Sequence, residues 1–248
     1  MLEQHLVIPL VKLAVAASLA SILVRIGVLR RALMRDERTL LQRVHFALGF
    51  SAIFGAGVAT RIVTGVYQAV DLGLEGSLLA GILGGYVTGL ISGVLISIPA
   101  MINHEYLSMP LFAAVGVLGG LLRDLAPEAE EIWRFSPMLD RVFRPGADKP
   151  TRAFHVMFFA TILFAEALRW VGLQLFENGT FALYNPHQPT MGIVTAAALT
   201  AVFTVTLPLK IWNNARTEEK LESQQRLLNE ARLAALTRQI NPIFFLIH

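Results

Sequence analysis

Few residues in this sequence have the types and spacing for chemistry. Glu166 and Arg169 stand three apart inside the apolar stretch 153–176. At helical spacing, both fall on one side of the helix. An ionised side chain at such depth is costly unless it pairs or lines a polar cavity. Two readings follow: a mutual ion pair that neutralises both groups, or a polar binding site joined by Arg61 near the end of another apolar stretch. Lys12 and Arg25 lie near enough to a helix end to carry their charge out to the interface. His45, His104, His155 and His187 sit near apparent interfaces, without the spacing of a metal site, so no metal is expected. The chain has no cysteine, which excludes disulfides and thiol chemistry. Neither a Ser/His/Asp arrangement nor a phosphate-binding glycine loop is present.

The elements that must position these groups are membrane spans. Of the 248 residues, 54% are hydrophobic and only 16% charged, where a soluble domain carries about a quarter charged. The stretches 6–29, 44–66, 77–99, 153–176 and 190–212 can each cross about 30 Å of hydrocarbon at about 1.5 Å per residue. A further segment, 107–122, is short and contains Pro110, Gly116, Gly119 and Gly120. The first stretch includes "AVAASLA", which resembles a signal-peptidase site. Its leading region carries Glu3 in place of a basic cluster, so an uncleaved helix is expected.

Charge asymmetry orients the spans. Segment 30–43 holds five Arg against two acids, 123–152 holds six Arg or Lys, and the tail after Trp212 holds five basic residues. Segments 64–76 and 177–189 hold no Lys or Arg. The positive-inside rule puts the three basic segments in the cytoplasm. The expected fold is an all-α integral membrane protein with five full crossings and an outside N-terminus. Segment 107–122 is then short or re-entrant, and a cytoplasmic exit helix follows. The alternative is six full crossings, with Arg30 and Arg31 as an exception. Domain organisation follows: 1–212 in the membrane and 213–248 as a cytoplasmic linker. No basic stripe suggests nucleic acid.

In the third stretch, Ser77, Gly81, Gly85, Gly89, Gly93 and Ser97 recur at intervals of four. On one helix this forms a ridge without bulky side chains, suited to close approach by another helix. That neighbour is expected within the chain's own bundle, with a dimer seam or a thin cavity wall as alternatives. Segment 123–152 reads as one or two amphipathic interfacial helices with Trp133 as an anchor. Beyond Trp212 the chain is polar and rich in helix formers. Leu221, Leu228 and Ala235 make a thin heptad seam there.

The run "LAALTRQINP" resembles the start of the phosphoacceptor motif of LytS-type sensor histidine kinases. Gln239, Ile240, Asn241, Pro242 and Phe244 stand where that family's motif expects them. The basic first loop and the run "LLAGILGGYVTGLISGV" resemble the family's five-transmembrane receptor, although Tyr86 replaces a frequent proline. The resemblance covers about 30–120 and 220–244. It implies a homodimeric sensor in the bacterial inner membrane. ATP and Mg would phosphorylate a histidine, and a response regulator would take the phosphate. That chemistry belongs to a full-length member. Here the acceptor position is Ile243, which has no nucleophilic nitrogen, and the ATP-binding domain is expected to be missing from this chain. His248 is out of register. This chain is therefore expected to hold no cofactor and to have no kinase activity. The competing class is a membrane solute-binding or transport module built on Glu166 and Arg169.

One reading joins both departures. Residues 242–248 back-translate as CCC ATT TTC TTT TTA ATT CAC, and the frame beginning at the third base reads His-Phe-Leu-Phe-Asn, the family motif. A lost nucleotide at Pro242 is expected to have put Ile243 onward out of frame. The competing expectation is a truncation that dispenses with the kinase. Sequencing the gene should return those codons, with an ATP-binding domain open in the shifted frame. A single incompatible codon would end this reading.

Overall fold

The computed structural model describes residues 2–35, 38–138, 140–143, 148–176, 179–184 and 190–244. The side chains of 2–6, 28, 32, 34, 140, 141 and 238–244 are excepted. The described chain is helical: α1 (Leu2–Arg25), α2 (Gly27–Met34), α3 (Leu40–Thr64), α4 (Gly73–Gly84), α5 (Tyr86–Ile102), α6 (Ser108–Asp124), α7 (Ala129–Trp133), α8 (Asp140–Phe143), α9 (Lys149–Leu175) and α10 (Met191–Phe244). Among the described residues, four segments are long and apolar enough to cross a membrane: Val7–Arg25, Leu40–Thr64, Lys149–Leu175 and Met191–Thr237. Tyr86–Ile102 is a shorter apolar helix.

Local chemistry sets several boundaries. Thr39 and Gln42 form a reciprocal capping box that opens α3, and Gly65 closes it in the left-handed region at φ 64°. Pro150 stands in the first turn of α9, where a missing N–H costs nothing. Along α3, Phe46, Phe50 and Phe54 stack at successive turns, and Trp212 of α10 packs edge-on to Phe50. The Trp212 indole N–H also donates to the Ala20 carbonyl at 3.0 Å, fastening α10 to α1.

The third expected span is two helices. The chain reverses at Gly85, with φ 86° and ψ 174°, a backbone conformation essentially restricted to glycine. α4 and α5 form an antiparallel hairpin, with Gly81 of one against Gly89 of the other. The reversal expected within 107–122 is therefore at Gly85, and that segment is instead the continuous helix α6. The side chains of Arg38 and Arg123 both donate to the Leu83 carbonyl, a group freed by the end of α4.

The glycine ladder packs inside the chain. A Cβ on Gly81 or Gly89 would overlap the Gly116 carbonyl, and one on Gly93 would overlap the backbone of Phe112. Gly120 of α6 meets the backbone of Gly85 and Tyr86. Ser77 donates to the Gly73 carbonyl and is fully buried. Gly85 itself is not on the ridge. It makes the turn that folds the ridge back on itself.

The three basic segments gather at one end of the bundle. Arg30 of α2 pairs with Glu219 of α10 at 3.4 Å. Glu130 of α7 accepts from Arg216 at 2.8 Å and Lys220 at 2.6 Å. The Lys220 hydrogen bond and the neighbouring Arg216 charge hold the Glu130 carboxyl below the usual carboxylate range. Trp133, expected as an interfacial anchor, is instead buried beneath the Arg216 guanidinium. Beyond Thr217, α10 is an exposed rod. His187 and His248 lie outside the described residues, as do the side chains of Gln239, Asn241, Pro242, Ile243 and Phe244. The backbone of 239–244 is helical.

Backbone contact between glycines sets the first structural prediction. Gly116→Ala should destabilise the protein by about 3 kcal/mol or more, the upper range for overpacking. Gly65→Ala, where nothing lies within 4 Å of the added carbon, should cost only about 1–2 kcal/mol for its left-handed backbone. Unfolding titrations in detergent micelles check the order. Equal losses would mean that the glycine contact is not close.

Candidate buried charge site

At the end of the bundle away from the exposed rod, three cations and four carboxylates converge from five segments. Lys12 of α1 donates to Glu75 Oε1 of α4 at 2.7 Å, and both side chains are buried. Arg169 of α9 lies with Nη2 3.6 Å from Glu75 Oε2 and Nε 3.6 Å from Glu166 Oε2. The Trp170 indole N–H donates to the other Glu166 oxygen at 3.0 Å. One turn before Glu75, Asp71 accepts from Arg61 Nε at 2.6 Å and from the Gly73 amide at 2.9 Å, a local turn bond just before α4. The Arg61 fork also grips Glu105 at 2.7 and 2.8 Å. The Phe181 ring lies 4.2 Å from the same guanidinium.

The expected trio is thus divided. Glu166 and Arg169 pair as spaced, but Arg169 is shared with Glu75. Arg61 belongs to a neighbouring set with Asp71 and Glu105. The two sets meet at the start of α4, where Asp71 stands just before the helix and Glu75 in its first turn. Asp71 also acts electrostatically on Arg169. Lys12 is a correction: it does not extend to the interface but is 2% exposed and holds Glu75. Arg25 is exposed, as expected.

Sequence reading missed Asp71, Glu75 and Glu105. Their signal was a spacing of four between Asp71 and Glu75, at the start of an otherwise apolar run with no Lys or Arg nearby. An acid placed there needs a cation from another span. Three intramembrane cations were available.

The network is incompletely satisfied. Arg169 Nε and Glu75 Oε2 are buried without a hydrogen-bond partner. Beside Glu75 lies a void of about 10 Å³, bounded by Leu74, Ile162 and Val205, room for roughly one water. Between α9 and α10 a larger cleft of about 390 Å³ is lined by Leu163, Glu166, Trp170, Gln174 and Val194. Burial raises the phenol pKa of Tyr184, which hydrogen-bonds Thr200 and feels the Glu166 charge. Among the described residues no cluster of three or more His, Asp or Glu could hold a metal. The site contains charged groups that can exchange partners, without a nucleophile set beside a base.

Removing one partner of a buried ion pair leaves the other charge uncompensated, at about 3–5 kcal/mol. Glu75→Ala should cost that much, and Lys12→Met/Glu75→Met should regain most of it, read by unfolding in micelles. If the double variant is as unstable as the single, Lys12 is not what Glu75 neutralises. No family model matches the chain, and no curated protein or solved structure is significantly similar to it.

Proposed function

We propose that this chain is the receptor and output-helix portion of a membrane sensor histidine kinase of the LytS type. In this reading it sits in a bacterial inner membrane, with the end that gathers the basic segments facing the cytoplasm. The observation that carries it is the single helix α10, 54 residues from Met191 to Phe244, about 80 Å at about 1.5 Å per residue. Its first turns border the cleft beside Glu166, its middle is fastened to α1 at Trp212, and its last turns carry the motif from Gln239. A rearrangement of the charge site thus has a continuous rigid element leading to the output end.

In this reading α1, α3, α9 and α10 cross fully, and α4, α5 and α6 make three shorter passes. The N-terminus and the exposed rod then lie on opposite faces, with 30–43 and 123–152 on the side of the rod. Exposed Leu221, Leu228 and Leu236 on the rod favour pairing with a second copy, as a dimeric kinase needs. ATP, Mg and a response regulator would engage only a full-length form.

The cleft at Glu166 favours one second reading, a solute-binding or transport module. A chimera separates the two. Joining a LytS-type phosphoacceptor and ATP-binding region after Asn241 should give autophosphorylation in membranes. Glu75→Gln should change its rate by about fivefold or more, the lower range of typical allosteric coupling. Substrate flux that persists after deletion of 213–248, with autophosphorylation indifferent to Glu75, would favour the transport module.

A further inference from the structure

The linker between α1 and α3 forms a concave basic site. α2 carries charged residues on one side and apolar residues on the other, as a helix lying along a membrane interface does. It joins the ends of two membrane-spanning helices, α1 at Arg25 and α3 at Leu40, so it lies at the membrane face. Between α2 and the first turns of α3 is a cavity of about 500 Å³, lined by Leu29, Arg31, Arg35, Gln42, His45 and Phe46. Arg38 also borders it, but is turned toward the Leu83 carbonyl and stacks on Phe46 at 4.9 Å.

Arg31 and Arg35 are exposed and make no ion pair among the described residues. Gln42 adds amide donors, and His45 Nδ1 bonds the Leu41 carbonyl at 2.8 Å, leaving its Nε2 edge available. The walls behind these groups are apolar, Leu29 and, at the floor, the buried Phe46. A free phosphate would use the arginines and find no purpose in the apolar walls. An anionic phospholipid uses both, its phosphate on the guanidiniums and its upper acyl chains along Leu29.

We propose that this cavity binds the headgroup of an anionic phospholipid. Arg31 and Arg35 hold the phosphate, Gln42 and His45 take its remaining oxygens, and Leu29 receives the upper acyl chains. Because α2 also bears Arg30, the partner of Glu219, an occupied site steadies the helix that touches the exposed rod.

Native mass spectrometry of the full chain, titrated with phosphatidylglycerol and with phosphatidylcholine, tests this. The unaltered chain should retain phosphatidylglycerol preferentially. Arg31→Gln/Arg35→Gln should weaken that retention by roughly tenfold or more, as expected for two basic residues at a membrane surface. Lys149→Gln/Arg152→Gln removes the same charge at the same end of the bundle and should leave it intact. Arg31→Lys/Arg35→Lys should keep most of the binding, which guards against a folding defect in the glutamine variant. Equal losses in both glutamine pairs would overturn the site, since binding would then follow net charge. Displacement of the lipid by millimolar inorganic phosphate would overturn the lipid assignment and leave a site for phosphate.

Discussion

A buried ammonium group needs a counter-ion, and the Lys12–Glu75 contact meets that need for the whole bundle. In lipid, helices gain little from hiding apolar surface against one another, because the tails are equally apolar. Association depends instead on close packing and polar contacts. Glu75 is the meeting point of both kinds of contact. It receives Lys12 from α1 and faces Arg169 from α9. The helix that carries it is also the one on which the glycines of α6 close. Asp71, a turn earlier, makes a local turn bond just before that helix while engaging Arg61 of α3. The helices α1, α3, α6 and α9 are thus all referred to one short helix.

That short helix can serve so many neighbours because its other side carries almost no side chain. Gly81 admits the backbone of Gly116, and Gly119 of α6 approaches Leu78 and Ile82. With α4, α5 and α6 this close, dispersion between backbones replaces side-chain interdigitation. The same sequence feature accounts for the turn. Gly85 adopts a backbone conformation that a side chain would forbid, and two arginines satisfy the carbonyl that the break exposes. Small residues at intervals of four therefore do two jobs here, contact and reversal. Periodicity does not separate them, because a glycine in a ridge and a glycine in a turn look alike in sequence.

That ambiguity explains much of what was legible and what was not. The long spans near 6–29, 44–66, 153–176 and 190–212 could be read from length and hydropathy, because those properties are local. The gathering of 30–43, 123–152 and the exit helix at one end followed from charge, even though the route between them differs from the one expected. The pairing of Glu166 with Arg169 was readable because both lie on one helix. The pairing of Lys12 with Glu75 was not, since 63 positions separate them and no local pattern states which span supplies the counter-ion. Nearness to a helix end suggests the interface for Lys12. Its depth depends on a carboxylate that another helix supplies.

The same arrangement constrains how a change at the charge site could travel. α1 touches it through Lys12 and touches α10 two turns later through Ala20 and Trp212. Moving α1 relative to α4 therefore loads the α10 contact directly, without any loop in the path. At the opposite end, α10 is held by Glu130, which takes the buried Arg216 and the exposed Lys220, and by Arg30 of α2; the two exposed contacts are screened and individually weak. The strong links lie deep in the bundle and the weak ones lie where the exposed rod leaves it. Under a displacement the weak links yield first. The rod then changes its position before the bundle changes its fold.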